Sequence, residues 1–194
     1  MKSKLSEWIT LILLLGGCNW LLAQPSSNDS PENVTMFHPT MDEVTKSVGW
    51  RPLREHHPVD GTFEVRIWTI PAHRIAQAPC IALKFAQQKW MVSEIATQVE
   101  TGNYVANVLV PTTSWPAIWT DLEKLGILRL PDESKTENQS AVLDGCRCIV
   151  EISLPSGYRA YSYSNTNHGW SPESRQLALI LKRLHDAIKR QPPG

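Results

Sequence analysis

Cys146-Arg147-Cys148-Ile149-Val150-Glu151-Ile152-Ser153-Leu154-Pro155-Ser156-Gly157-Tyr158-Arg159-Ala160-Tyr161-Ser162-Tyr163-Ser164 is the stretch on which the fold turns. β-prone residues alternate in side-chain character on both sides of Pro155-Ser156-Gly157, where Pro presets φ for a first turn position and Gly accepts a left-handed one. The stretch reads as a β-hairpin with a three-residue connection. That connection pairs Leu154 with Tyr158, which sets Ile152 opposite Ala160 and Val150 opposite Ser162, on one face with Cys146 and Cys148. The other face then carries Glu151, Arg159, Tyr161 and Tyr163. If helices cover the first face, these four residues form a solvent-side patch rich in the Tyr and Arg that favour binding hot spots. A two-residue turn would reverse the parity and bury the tyrosines instead.

Upstream, Phe63, Val65 and Ile67 alternate with Glu64 and Arg66, and Ile81, Leu83 and Phe85 alternate with Ala82 and Lys84, as in half-buried strands. Gln87-Gln88-Lys89 breaks the pattern before Trp90 to Ala96, and Tyr104 to Val110 ends at Pro111, so this region reads as an antiparallel meander. Ser114 is an N-cap followed by Pro116 in the first turn, with Trp115, Ile118 or Trp119, Leu122 and Leu125 at helical spacing and Gly126 placed for the left-handed C′ position. Downstream of the hairpin, Ser171-Pro172-Glu173 starts a helix with Leu177, Leu181, Leu184 and Ile188 as its buried stripe; Pro192-Pro193 ends it. The expected class is α+β: an antiparallel sheet, meander plus C-terminal hairpin, with two amphipathic helices packed on one face.

At the other end, Lys2 and Lys4 precede an apolar run from Trp8 to Leu15, the charged and hydrophobic regions of a signal peptide over residues 1–23. The run is shorter than the ~20 residues a spanning helix needs. Leu15-Gly16-Gly17-Cys18 resembles the lipobox of bacterial lipoproteins, and that resemblance implies acylation of Cys18. Cleavage after Ala23 would give a plain secreted chain, so both routes stay open. Residues 24–60, rich in Pro, Ser, Asn and acids without a sustained period, read as a flexible tether or arm, with one short helical segment at Met41 to Val48; residues 61–190 read as the single folded domain.

Nineteen basic and nineteen acidic residues among 194 cancel, which removes the footprint of a general nucleic-acid binder. Membrane contact is expected only through the N-terminal anchor. No Gly-x-Ser-x-Gly elbow, His-Glu-x-x-His, phosphate loop or dinucleotide fingerprint occurs, so no cofactor is expected.

Two further chemistries can be assembled from the sequence. His168, in a loop before the last helix, could serve a small hydrolase with Cys148 or Ser162 as nucleophile and Asp144 as orienter. Cys146 and Cys148, two apart on a strand, point to one side and could hold a soft metal or act as a redox pair; as small core residues they need no metal. Cys80 makes their number odd and points away from the core if Ile81, Leu83 and Phe85 face it. His56-His57 reads as a solvated pair before Pro58. These observations converge on an exported or lipid-anchored envelope protein acting as a non-catalytic binding module toward a protein or small ligand.

Overall fold

A computed structural model describes residues 30–71, 78–98, 101–136, 145–166 and 171–188. Short helices α1 (Glu32–Thr35) and α2 (His38–Ser47) and a 3-10 turn at Leu53–Glu55 open the described chain. The strands β1 (Phe63–Pro71), β2 (Cys80–Ala86), β3 (Lys89–Thr97) and β4 (Tyr104–Val108) follow, then helix α3 (Trp115–Lys124) and a 3-10 turn at Glu133–Lys135. Strands β5 (Cys146–Leu154) and β6 (Gly157–Ser164) and helix α4 (Pro172–Ala187) complete it. All six strands form one antiparallel sheet in the order β4-β3-β2-β1-β5-β6, so the class is α+β. The meander and the hairpin are joined where β1 pairs with β5.

The start signals of both helices act where the sequence puts them, whereas α4 ends at Ala187, ahead of Pro192-Pro193, and buries Leu177, Ile180, Leu184 and Ala187, leaving Leu181 and Ile188 only partly buried. Ser114 accepts from the Ala117 amide at 3.4 Å, and Ser171 and Ser174 form a reciprocal capping box. Gly126 has φ +85°, and the Ile127 amide returns to the Leu122 carbonyl. Both helices contribute to one apolar cluster: Ile118, Trp119 and Leu122 from α3 and Leu177, Ile180 and Leu184 from α4 pack with Val65, Leu83, Val150 and Ile152. The rings of Phe63, Phe85, Trp90 and Trp119 pack together there, with Phe63 stacked on Phe85 and, at 4.6 Å, on Trp119, and Trp90 edge-on to Phe63.

The second face of the sheet is also covered, and here the sequence reading needs correction. Residues 30–57 do not form a free tether: Val34, Met41, Val44 and Leu53 are buried against Trp68, Ile70, Ile95, Ile149, Tyr158 and Ala160. Met41 and Val44 share a face of α2 by their i,i+3 spacing, but so few apolar residues leave no sustained period to detect. Because both faces are covered, Glu64 and Arg66 on β1 are as buried as the apolar residues between them, where a half-buried strand was expected.

Candidate functional site

The hairpin closes through a two-residue turn, with Leu154 paired to Gly157, not Tyr158. The register is therefore one residue off the expected one. Ile152 faces Arg159, Val150 faces Tyr161 and Cys148 faces Tyr163, so Arg159, Tyr161 and Tyr163 lie on the helix-covered face while Glu151 lies on the other. The proposed open patch does not exist: Tyr161 and Tyr163 are fully buried, Glu151 is 2% exposed, and Arg159 is partly buried.

What these β6 side chains do is fasten the segment that follows α3. The Tyr161 hydroxyl donates to the Ile127 carbonyl at 2.7 Å and that of Tyr163 to Pro131 at 2.6 Å. Arg159 donates to the carbonyls of Leu128 and Leu130 at 2.7 and 2.5 Å. Burial raises both phenol pKa values and lowers that of Arg159. From this segment Asp132 and Glu133 reach back to the rim of the sheet. The Ser162 amide donates to Asp132 at 2.8 Å and the Ser164 amide to Glu133 at 3.0 Å. These amides point away from β5, because Asn165 bonds Cys146 and the inward positions of an antiparallel pair alternate. At Ser162 and Ser164 the outer edge of β6 is thus closed by carboxylates.

Beneath residues 30–57 lies a polar centre that alternation alone does not reveal. Glu151 accepts from Trp68 Nε1 at 2.7 Å and from the Tyr158 hydroxyl at 2.8 Å, and the register sets Arg66 directly across from it. Arg66 donates to Glu64 at 2.7 Å and to the Arg51 carbonyl at 2.8 Å, with the Trp50 ring 5.3 Å from its guanidinium carbon. His56 Nδ1 and Lys84 Nζ stand 3.8 and 3.9 Å from the same Glu64 carboxylate. Burial is the main cause raising the Glu151 pKa, against the opposing effects of Arg66, Trp68 and Tyr158. The only sequence signal for this centre is an acid and a base at alternate positions of an otherwise apolar strand.

The cysteines stay apart. Cys148 joins the helix-side core, whereas Cys80 packs on the opposite face, paired with Trp68 while Cys148 pairs with the next residue, Thr69. A bridge from Cys80 to Cys148 would have to cross the sheet, and Cys80, Cys146 and Cys148 are all free thiols. Burial pushes the Cys80 and Cys148 thiols up, opposite to what a nucleophile or metal ligand needs. Among the described residues no three His, Cys, Asp or Glu side chains come together as a metal site. His57 is exposed and His56 partly buried. Cys18, Asp144 and His168 lie outside the described residues. A shallow concavity of about 330 Å³ lies on the helix side, lined by Gly126, Arg129, Leu130, Pro131, Glu173 and Gln176, and holds none of the predicted site residues.

The opposite rim of the sheet is built differently. Leu109 donates to Val92 and Gln98 to Asn103, so odd-numbered β4 residues bond β3 while the backbones of residues 104, 106 and 108 face outward. From Asn103 to Val110 there is no charged residue and no proline. Val108 is 81% exposed, with Val110 and Met91 also exposed on the same rim. Of the devices that protect an edge, charge and proline are missing from Asn103–Val110. The chain matches no protein-family model and no curated protein.

Proposed function

We propose that the chain is an exported, non-catalytic interaction module of the cell envelope, held there through an acylated Cys18 or released by cleavage after Ala23, and that it takes an extended polypeptide segment along the outer edge of β4. The observation that carries this reading is the unequal finish of the two rims. Carboxylates of Asp132 and Glu133 occupy the outward amides of Ser162 and Ser164 on β6, while β4 turns the backbone of Ala106 and Val108 outward, with Val108 exposed and no charge on the strand to repel another. Addition of a strand to such an edge satisfies backbone groups and depends little on side-chain identity. The non-catalytic part is supported by the state of the buried reactive groups: Cys80, Cys148 and Tyr161 are held in their protonated forms by burial, and Glu151 is engaged by two donors.

The test compares the rims. A photo-crosslinking residue is placed at Val108, and separately at Ser164, in cells carrying the full chain. A discrete adduct from position 108 that disappears with Ala106→Pro supports the reading; no adduct, or equal adducts from both positions, removes it. Mass measurement of the mature N-terminus decides between acylated Cys18 and Gln24.

A further inference from the structure

We infer that the uncovered end of the arm face, where β3 and β4 present Met91, Val108 and Val110, rests on the surface of an anionic lipid bilayer. The inference uses the face of these strands and not their edge, so it goes beyond the reading of β4 as a docking edge and takes from it only the envelope address. Residues 30–57 cover this face of the sheet as far as Ile95 and Tyr104 and stop there. Beyond that point Ser93 pairs with Val108 and the Leu109 amide bonds the Val92 carbonyl, so Met91, Val108 and Val110 project to the same side from neighbouring strands. Each is more than half exposed, in a group, where a surface normally scatters such residues singly.

The charges that border the patch are basic. Lys84 is the cross-strand neighbour of Met91, and Lys89 stands two residues before Met91 on the same side and is exposed. Glu94 is turned to the other face, opposite Ile81, and Glu64, 3.9 Å from Lys84 Nζ, is buried. Glu43 acts at Tyr104, about 20 Å along the strand from Val110. An apolar centre with lysines at its border suits a bilayer surface, where the side-chain methylenes sink to the acyl boundary and the ammonium groups stay among the phosphates. A protein partner is anchored by aromatic or Arg side chains in pockets, which this flat stretch of Met, Val and Ala does not offer, whereas fluid lipid needs no matching shape.

The length of chain before the arm allows the contact. Ser30 bonds the Tyr158 hydroxyl, on the β6 side of the sheet, and β6 lies five strand spacings from β4, about 24 Å. Cys18 stands twelve positions before Ser30, a distance of at most about 40 Å for an extended chain. An acylated Cys18 therefore has lead enough for the β4 side of the sheet to lie on the bilayer that holds it, and docking of residues 30–57 takes away the further length that would let the domain stand off. The patch alone is a weak membrane contact; the anchor strengthens it by raising the effective concentration of bilayer beside it.

The experiment is co-sedimentation of the mature chain from Gln24, which carries no acyl group, with vesicles of phosphatidylethanolamine and phosphatidylglycerol, against vesicles of phosphatidylcholine. The expected result is binding to the anionic vesicles that weakens with added salt and is lost on phosphatidylcholine. Met91→Glu and Val110→Glu are each expected to weaken it by at least about tenfold and Lys89→Gln by about fivefold, at an unchanged melting temperature, while Leu179→Glu, at an exposed apolar site on α4, leaves it intact. No binding to anionic vesicles, or binding indifferent to Met91→Glu and Val110→Glu, overturns the inference; so does self-association of the lipid-free chain that the same two variants abolish, which gives the face to a second copy. The crosslink from position 108 reads the edge separately: its presence without vesicle binding keeps the edge reading and removes this one, and if neither occurs both fail.

Discussion

The two faces of the sheet are covered by different means. Under α3 and α4 lies a continuous apolar layer whose polar atoms, the Tyr161 and Tyr163 hydroxyls, reach out to carbonyls at its margin. Under residues 30–57 the layer is half apolar anchors and half an engaged polar centre, Glu64-Arg66 and Trp68-Glu151-Tyr158. On the helix face each methylene removed costs stability in proportion to the cavity it leaves. The arm face depends on partners being present together, because a buried donor or acceptor that loses its partner suffers its full desolvation penalty.

The sharpest way to break this comparison is Glu151→Ala, which orphans Trp68 Nε1 and takes from the Tyr158 hydroxyl its acceptor, leaving it only Ser30. Each orphaned donor costs about 1–3 kcal/mol, so urea denaturation should show the largest loss here; a loss below that of an exposed substitution would mean the polar centre is stabilised by nothing but its surroundings. On the helix face, Leu122→Ala should remove about 2–5 kcal/mol, set by how far the cavity collapses. Tyr161→Phe keeps the ring and deletes only the bond to Ile127, for a loss of about 0.5–1.5 kcal/mol measured the same way.

The smallest effect is the share of the pH dependence that comes from the arm face. Burial is the first cause lowering the pKa of both His38 and His56 below the ordinary 6.5; Arg54 adds to it at His38 and Lys84 and Arg66 at His56, while Asp42 and Glu64 oppose it. The folded state therefore binds fewer protons, and stability present above pH 6.5 declines as the pH falls toward the folded values. Glu151 runs the other way: its pKa is raised, so its contribution is full below 4.5 and is lost as the pH rises through the folded value. Melting curves of the wild type and of His38→Asn with His56→Asn should diverge only on the acid side of neutrality; parallel curves would place neither histidine in the docking of the arm.

Much of the helix face is legible in the sequence because its signals are local. Caps at Ser114 and Ser171, the Gly126 stop and the apolar stripes each need only a few consecutive residues. The hairpin register needs one fact more, the length of the turn: Pro155-Ser156 alone makes the reversal, and a single-residue difference moves Tyr161 and Tyr163 to the other face. The arm face is hidden for a different reason. Glu64, Arg66 and Glu151 carry the chemistry of solvent-facing residues, and only strand order, with β1 at the centre beside β5, tells that no solvent reaches them. The edge position of β4 is likewise a property of strand order that no window of residues contains.

The β1–β5 junction has a consequence for how the molecule assembles in time. The meander and the hairpin each close through short connections, and isolated hairpins form in about 1–10 μs. The seam between them brings together Trp68 and Glu151, 83 positions apart, and must wait for that long loop to close. A chain emerging N-terminus first therefore carries a bare second edge on β1 until β5 has appeared. Desolvation of Glu151 comes with closure of that seam, so the Trp68–Glu151 bond forms only once the meander and the hairpin have been joined.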